Sequence, residues 1–243
     1  LAHESGYFFS IQGIRAKTNW GSIPSWYQPI VNQPEIGILG IIAKNFDGVM
    51  HFLLQAKIEP GNINYVQLSP TLQATKSNYT RVHEGKTPEY LDYFLGKDKN
   101  ILIDQLQSEQ GGRFLQKRNR NMIIMVEDEI KHNDNFYWVT LEQIKDLLRE
   151  NNIVNMDTRS VIAGLNVNKE QKLSSRYLKQ NGELFSFNEL LSWIADQKTK
   201  YNLEITRIPL NKIQSWKMTG NEIHHNENKY FNHHTGNVEM TWL

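Results

Sequence analysis

Residues 68–80 place hydroxyl or amide side chains at alternate positions, Ser69, Thr71, Gln73 and Thr75, and Asn78, Tyr79, Arg81 and His83 follow closely. On a strand alternate residues share a face, so the first four would line one wall with Leu68, Leu72 and Ala74 behind them. That is more polarity than packing needs. It suits a hydrogen-bonding ligand, although a strand facing solvent has the same alternation. We take Ser69, Thr71, Gln73, Ala74, Thr75, Asn78 and Arg81 as a candidate binding wall, with Gln55 and Lys57 from the preceding strand-like run.

Farther along, Arg113, Lys117, Arg118 and Arg120 lie close together around Asn119 with no acid between them. Arginine makes paired, charge-assisted hydrogen bonds to phosphate oxygens, each contributing ~1.5–3 kcal/mol when shielded from water. The segment therefore suits a diphosphate, the alternative being a solvated basic face. Trp26, beside Gln28, offers a ring on which a base or sugar could stack, as do Trp20 and Tyr27. His83 is a candidate proton carrier near neutral pH. His224-His225 and His233-His234 are adjacent pairs whose rings face opposite ways on a strand, with no carboxylate at matching spacing, so no metal site is expected.

The elements that must hold these groups have local signals. Runs rich in β-branched and aromatic residues, bounded by Gly, Pro and Asn, predict strands over 36–44, 49–58, 65–74 and 121–126. A helix is expected over 87–95, opened by Pro88, and a longer one over 101–110, ended by Gly111-Gly112. Thr140 with Gln143 and Ser186 with Glu189 are capping boxes, each ahead of an apolar stripe: Ile144, Leu147 and Leu148 in one, Leu190, Leu191 and Ile194 in the other. Strands come first and helices cluster later, which argues for an α+β fold.

With 243 residues, 39% of them hydrophobic and 11% aromatic, the chain can bury a substantial core. A net charge of +1, from 27 basic and 26 acidic residues, gives no global field for nucleic acid or an anionic membrane, and neither is expected as a partner. The chain has no cysteine, which excludes disulfides, thiolate zinc sites and cysteine nucleophiles within it. Its longest apolar run, residues 36–43, is far short of the ~20 residues of a membrane helix. A soluble, cytoplasmic protein is expected, one that begins ahead of Leu1 because the first residue is not methionine.

Several strings, in one order, carry a resemblance. They are Trp26-Tyr27-Gln28-Pro29-Ile30, Pro34-Glu35-Ile36-Gly37-Ile38-Leu39-Gly40, Gln55-Ala56-Lys57-Ile58-Glu59-Pro60-Gly61-Asn62, Ser108-Glu109-Gln110-Gly111-Gly112-Arg113-Phe114, Lys117-Arg118-Asn119-Arg120-Asn121 and Asn155-Met156-Asp157-Thr158-Arg159. Together with the wall over 68–80 they resemble the nucleoside-diphosphate-hexose 2,3-dehydratases of deoxysugar biosynthesis, over roughly residues 3–165. The resemblance implies a Nudix-like fold, a mixed sheet packed between helices, and a homodimer. It also implies tandem duplication: residues 1–184 as one nearly complete domain and 185–243 as the start of a second. His3, Phe8 and Phe9 return as His225, Tyr230 and Phe231, at an offset of 222 (225 minus 3), in keeping with such a repeat.

The implied substrate is a dTDP-linked 4-keto-6-deoxy sugar, which loses its hydroxyl at carbon 2 to become a 3,4-diketo-2,6-dideoxyhexose. A base must remove the proton at carbon 3, a donor must hold the enolate oxygen, and an acid must protonate the departing hydroxyl. The scheme requires no metal or redox cofactor. Glu109 or His83 is the candidate base, Lys57 or Gln55 the enolate donor and Tyr79 the acid. A Nudix-type nucleotide-sugar hydrolase is the alternative, but the stretch 101–119 that would carry its magnesium carboxylates has only Asp104 and Glu109. A copy that binds nucleotide sugar without turning it over is a third reading.

Overall fold

A computed structural model describes residues 9–76, 87–96, 100–165, 184–219, 222–225, 230–233 and 240–242. The chain divides into two compact units, one of Leu1–Asn32 with Val167–Leu243 and the other of Gln33–Asn166. The first unit opens with strands β1 (Ser10–Thr18) and β2 (Ser25–Asn32), paired antiparallel.

The second unit is built on β3 (Gly37–Phe46) and β4 (Val49–Ile58), a hairpin turned by Asp47 and Gly48, both at positive φ (50° and 87°). That turn conformation matches the twist of the flanking strands and favours a residue without a Cβ at its second position. The two strands pair only near the hairpin, where Ile42 to Phe46 face Leu53 to Val49. Beyond it β5 (Val66–Ser69) runs along β4 and β6 (Leu72–Ala74) runs along β3, so Pro70 and Thr71 carry the chain across a fork. The strand expected over 65–74 is therefore two strands, divided at a proline that has no N–H to give to a ladder.

Helix α1 (Leu91–Leu95) occupies only the end of the stretch expected to be helical from residue 87. Next comes β7 (Asn100–Ser108), in place of the helix expected over 101–110. The apolar residues Ile101, Leu102, Ile103 and Leu106 fit either period, but antiparallel pairing with β8 (Arg118–Met125) decides for a strand. A register shift between Ile101 and Ile103 spoils the alternation that would have announced it. β8 also lies parallel to β3, and β9 (Phe136–Thr140) completes the seven-stranded mixed sheet beside β4. Helices α2 (Leu141–Leu147) and α3 (Met156–Ile162) follow, α2 opened by the expected Thr140–Gln143 capping box.

β3 is buried along most of its length, as a central strand covered on both faces must be. On one face Ile38, Ile42, Leu53, Met122 and Ile124 pack against Leu91 and Phe94 of α1. On the other, Leu39, Ile41, Phe52, Leu54 and Ile123 pack against Ile144 of α2 and Val161 and Ile162 of α3. The mixed sheet thus lies between helices in an α+β arrangement. The Phe94 ring seats directly on Gly40, where a Cβ would lie 2.3 Å from ring carbon Cε1.

The first unit continues with α4 (Phe187–Lys200), opened by the Ser186–Glu189 capping box, and with β10 (Leu203–Ile208), which pairs with β1. Four further strands, β11 (Trp216–Thr219), β12 (Glu222–His225), β13 (Tyr230–His233) and β14 (Met240–Trp242), form an antiparallel meander. Among the described residues no helix is long and apolar enough to cross a membrane.

Candidate functional site

The first turn of α3 is fastened to β5. The side chain of Asn155, its N-cap, accepts from the Thr158 amide (2.8 Å) while its Nδ2 donates to the Ser69 hydroxyl (2.9 Å). The Asn155 amide (3.0 Å) and the Thr158 hydroxyl (3.0 Å) both donate to the Leu68 carbonyl. So held, the helix directs Asp157 at Gln73 on the neighbouring strand. The Gln73 side-chain amide donates to Asp157 Oδ2, and its carbonyl accepts from the Lys57 ammonium, which also lies 3.2 Å from Glu59. An ammonium has only donors and a carboxylate chiefly acceptors, so these neighbours fix which way the glutamine amide points.

The sheet supplies the facing wall. Leu39, Gln73 and Asn121 share a face of the sheet, since Leu39 is in register with both, and Asn119 lies two residues from Asn121 on the same face. Toward the hairpin this face is apolar and buried under the helices, and at the opposite end it turns polar. There the Glu109 amide donates to the Lys117 carbonyl (3.0 Å), closing the loop between β7 and β8, and Asn119 Nδ2 donates to Glu109 Oε2. Asn121 Nδ2 donates to the side chain of Gln107 (2.5 Å). Asn121 is only 3% exposed, and its Oδ1 has no hydrogen-bond partner among the described residues. Leu39, Gln107, Glu109, Asn119 and Asn121, with Asp157, Met156 and Ser160, line a cleft of about 190 Å³.

Charge in the cleft follows from burial. Burial pushes the Asp157 carboxyl above the ordinary range; the hydrogen bond from Gln73 opposes the shift, the negative charges of Glu109 and Glu59 add to it, and Lys57 draws it back. Burial likewise lowers the Lys117 ammonium, against the pull of Glu109 and Glu35. Among the described residues no group of three or more His, Asp or Glu is placed to hold a metal ion.

The other expected residues fall into distinct environments. The Thr71 hydroxyl, in the fork, accepts from the Ile42 amide (3.0 Å) and donates to the Leu53 carbonyl; Ser69 is likewise buried on Asn155, and Ala74 lies in the core. Gln55 and Thr75 are half-buried. Lys117, only 6% exposed, donates to the Glu35 carbonyl (2.8 Å), while Arg113 and Arg118 are exposed and Arg120 makes a two-pronged pair with Asp104. The basic run is therefore dispersed. Trp26 and Gln28 belong to the other unit, where the indole N–H donates to the Gln28 side chain (2.7 Å) and both border a groove of about 630 Å³ with Trp20, Tyr27, Trp216 and His225. Asn78, Tyr79, Arg81 and His83 lie outside the described residues.

Two residues that sequence reasoning did not assign, Asp157 and Asn121, sit in the cleft beside Glu109 and Asn119. The signal for the first was Asn155 three residues before Thr158, a helix start that places Asp157 in the first turn. Its partner Gln73 lies 84 residues away in sequence, and no local pattern connects them.

The family model described as NDP-hexose 2,3-dehydratase matches residues 1–165 and 187–241. Among curated proteins, the dTDP-4-dehydro-6-deoxy-alpha-D-glucopyranose 2,3-dehydratase of Saccharopolyspora spinosa is 46% identical over 245 residues, covering 95% of this chain and 50% of that protein. Proteins of the same description from Amycolatopsis orientalis and Streptomyces violaceoruber are 44% and 45% identical, again over 95% of this chain and over 48% and 53% of theirs. The chain spans about half the length of the curated relatives it matches. The C-terminal domain of mouse MUTYH, from its complex with human PCNA, aligns over 61% of this chain and 100% of that one at 10% identity and TM-score 0.33, too slight a likeness to bear on the fold.

Proposed function

The chain belongs to the NDP-hexose 2,3-dehydratase family, and from that premise we propose that it takes part in the 2,3-dehydration of a dTDP-4-keto-6-deoxyhexose to a 3,4-diketo-2,6-dideoxyhexose. The observation that carries this reading is the cleft of Glu109, Asn119, Asn121 and Asp157, whose residues lie in the segments matched to the family. Its volume of about 190 Å³ falls below the ~300–1,000 Å³ typical of whole drug-sized ligands and suits a single sugar ring.

In this reading Glu109 is the base. Its carboxylate stands half-exposed at the rim of the cleft, oriented by Asn119 and by the Gln110 amide (3.3 Å). The 4-keto group makes the proton at carbon 3 acidic, Glu109 removes it, and the positive charge of Lys57 favours the enolate. Arg113 and Arg118, exposed in the same unit as the cleft, would serve the diphosphate of the nucleotide.

We further propose a homodimer in the cytoplasm and a tandem duplication in which residues 185–243 begin the second copy. The test is to incubate the protein at its full natural length with dTDP-4-keto-6-deoxyglucose, with and without a chelator, and follow products by mass spectrometry. Loss of one water, indifferent to chelator, is expected. Release of thymidine monophosphate that stops with chelator would replace the reading with nucleotide-sugar hydrolysis.

A further inference from the structure

We infer that Asp157 is the acid that protonates the hydroxyl leaving carbon 2, working across the cleft from Glu109. This rests on the dehydration reading above. Elimination from a 4-keto sugar needs one group to take the proton at carbon 3 and another to give a proton to the departing hydroxyl. Glu109 and Asp157 line the same cleft, and their environments differ.

Glu109 accepts from two amide donors, Asn119 Nδ2 and the Gln110 backbone, which orient its two oxygens. Asp157 receives the Gln73 amide on Oδ2, which leaves Oδ1 to carry an acidic proton. The charged groups that face Asp157 are Glu109, Glu59 and Lys57, two negative and one positive. Burial raises its pKa, and the charge of Glu109 raises it further, so Asp157 keeps the proton that an acid must give.

A second observation points to a ligand in this place. Asn121 lines the same cleft, is almost wholly buried, and has its Nδ2 engaged by Gln107 while Oδ1 lacks a partner among the described residues. A buried carbonyl without a donor is costly by itself, and a hydroxyl of the bound sugar would satisfy it. Asn121 therefore marks a resting place for a sugar hydroxyl in the cleft that Glu109 and Asp157 also line.

The step balances without any further reactant. Glu109 takes the proton from carbon 3, and the electron pair passes into the enolate at carbon 4. The enolate then collapses, forming the double bond between carbons 2 and 3 while the carbon 2–oxygen bond breaks. Asp157 gives its proton to the departing hydroxyl, which leaves as water. The enol at carbon 3 becomes a ketone by taking a proton from solvent at carbon 2 and releasing its hydroxyl proton to solvent, and solvent restores the proton to Asp157 and removes the one on Glu109.

The experiment separates the two half-steps, using Asp157→Asn in the protein at its full natural length, in deuterated water. The amide keeps an oxygen for Gln73 but has no acidic proton. Water loss is expected to fall by about 10²–10⁴-fold, while recovered substrate still gains deuterium at carbon 3; Glu109→Gln loses both. A folded variant that eliminates normally, or one that loses exchange and elimination together, overturns the assignment. Should the variant not fold, the wild-type protein decides: the ratio of exchange to elimination must rise with pH as Asp157 ionises, and a flat ratio overturns it. A wild-type protein that neither exchanges nor eliminates would instead overturn the dehydration reading itself.

Discussion

Thr71→Val should destabilise the protein without touching the sugar. The Thr71 hydroxyl sits where β3 and β4 part, accepting from the Ile42 amide and donating to the Leu53 carbonyl, and both of those residues are 0% exposed. Valine keeps the shape and removes both bonds, leaving a buried N–H and a buried C=O unmet. At ~1.5 kcal/mol for each, in the lower part of the ~1–3 kcal/mol range for such groups, the loss is about 3 kcal/mol. The added methyl returns about 0.8 kcal/mol, so the net cost is about 2 kcal/mol. For the unit Gln33–Asn166, 134 residues (166 − 33 + 1), that corresponds to roughly 8 °C in Tm. The assay is urea unfolding at unchanged m-value beside a titration with the dTDP-sugar. Unchanged stability with binding weakened tenfold would refute the reasoning and make Thr71 a ligand contact.

Further outcomes follow from neighbouring features. Gly40→Ala places a Cβ 2.3–2.8 Å from three carbons of the Phe94 ring, and the resulting overpacking should cost about 1–3 kcal/mol in urea unfolding. Asn155→Ala removes both the cap of α3 and the bond to Ser69, for a loss of about 1–2 kcal/mol by the same measurement. Asp157 has a folded-state pKa above its ordinary 3.8, so the folded chain binds its proton more tightly than the unfolded chain. Its contribution to stability is therefore lost as pH rises from 3.8 through the folded value, and the penalty persists at neutral pH. Asp157→Asn should accordingly be more stable than wild type at pH 7 by thermal unfolding, the difference vanishing below pH 3.8.

The parts of the fold legible in the sequence are those whose causes are local. The β3–β4 hairpin is announced by Asp47-Gly48 between apolar runs, and α2 and α4 by capping boxes that need only four residues to be recognised. β7 was not legible, because its apolar residues suit a helix as well and the deciding force is pairing with β8. The wall over 68–75 illustrates how an alternating pattern misleads. Alternation alone puts its hydroxyls on an open face, yet Pro70-Thr71 crosses the fork and turns Ser69 and Thr71 inward, leaving Gln73 to reach the cleft side. The cleft itself arises from groups far apart in sequence: Glu109 and Asn119 at one end of β7 and β8, Asp157 carried in by a helix fastened to β5. Glu109 could be singled out by chemistry, whereas Asp157 is set apart by burial, which only the tertiary structure supplies.

The most direct test is a crystal structure of the protein with Glu109→Gln, slowed in turnover, bound to a dTDP-4-keto-6-deoxy sugar. Carbons 2 and 3 should lie between the substituted side chain at position 109 and Asp157, with a sugar hydroxyl donating to Asn121 Oδ1. A sugar ring held elsewhere, touching none of these three side chains, would contradict the account.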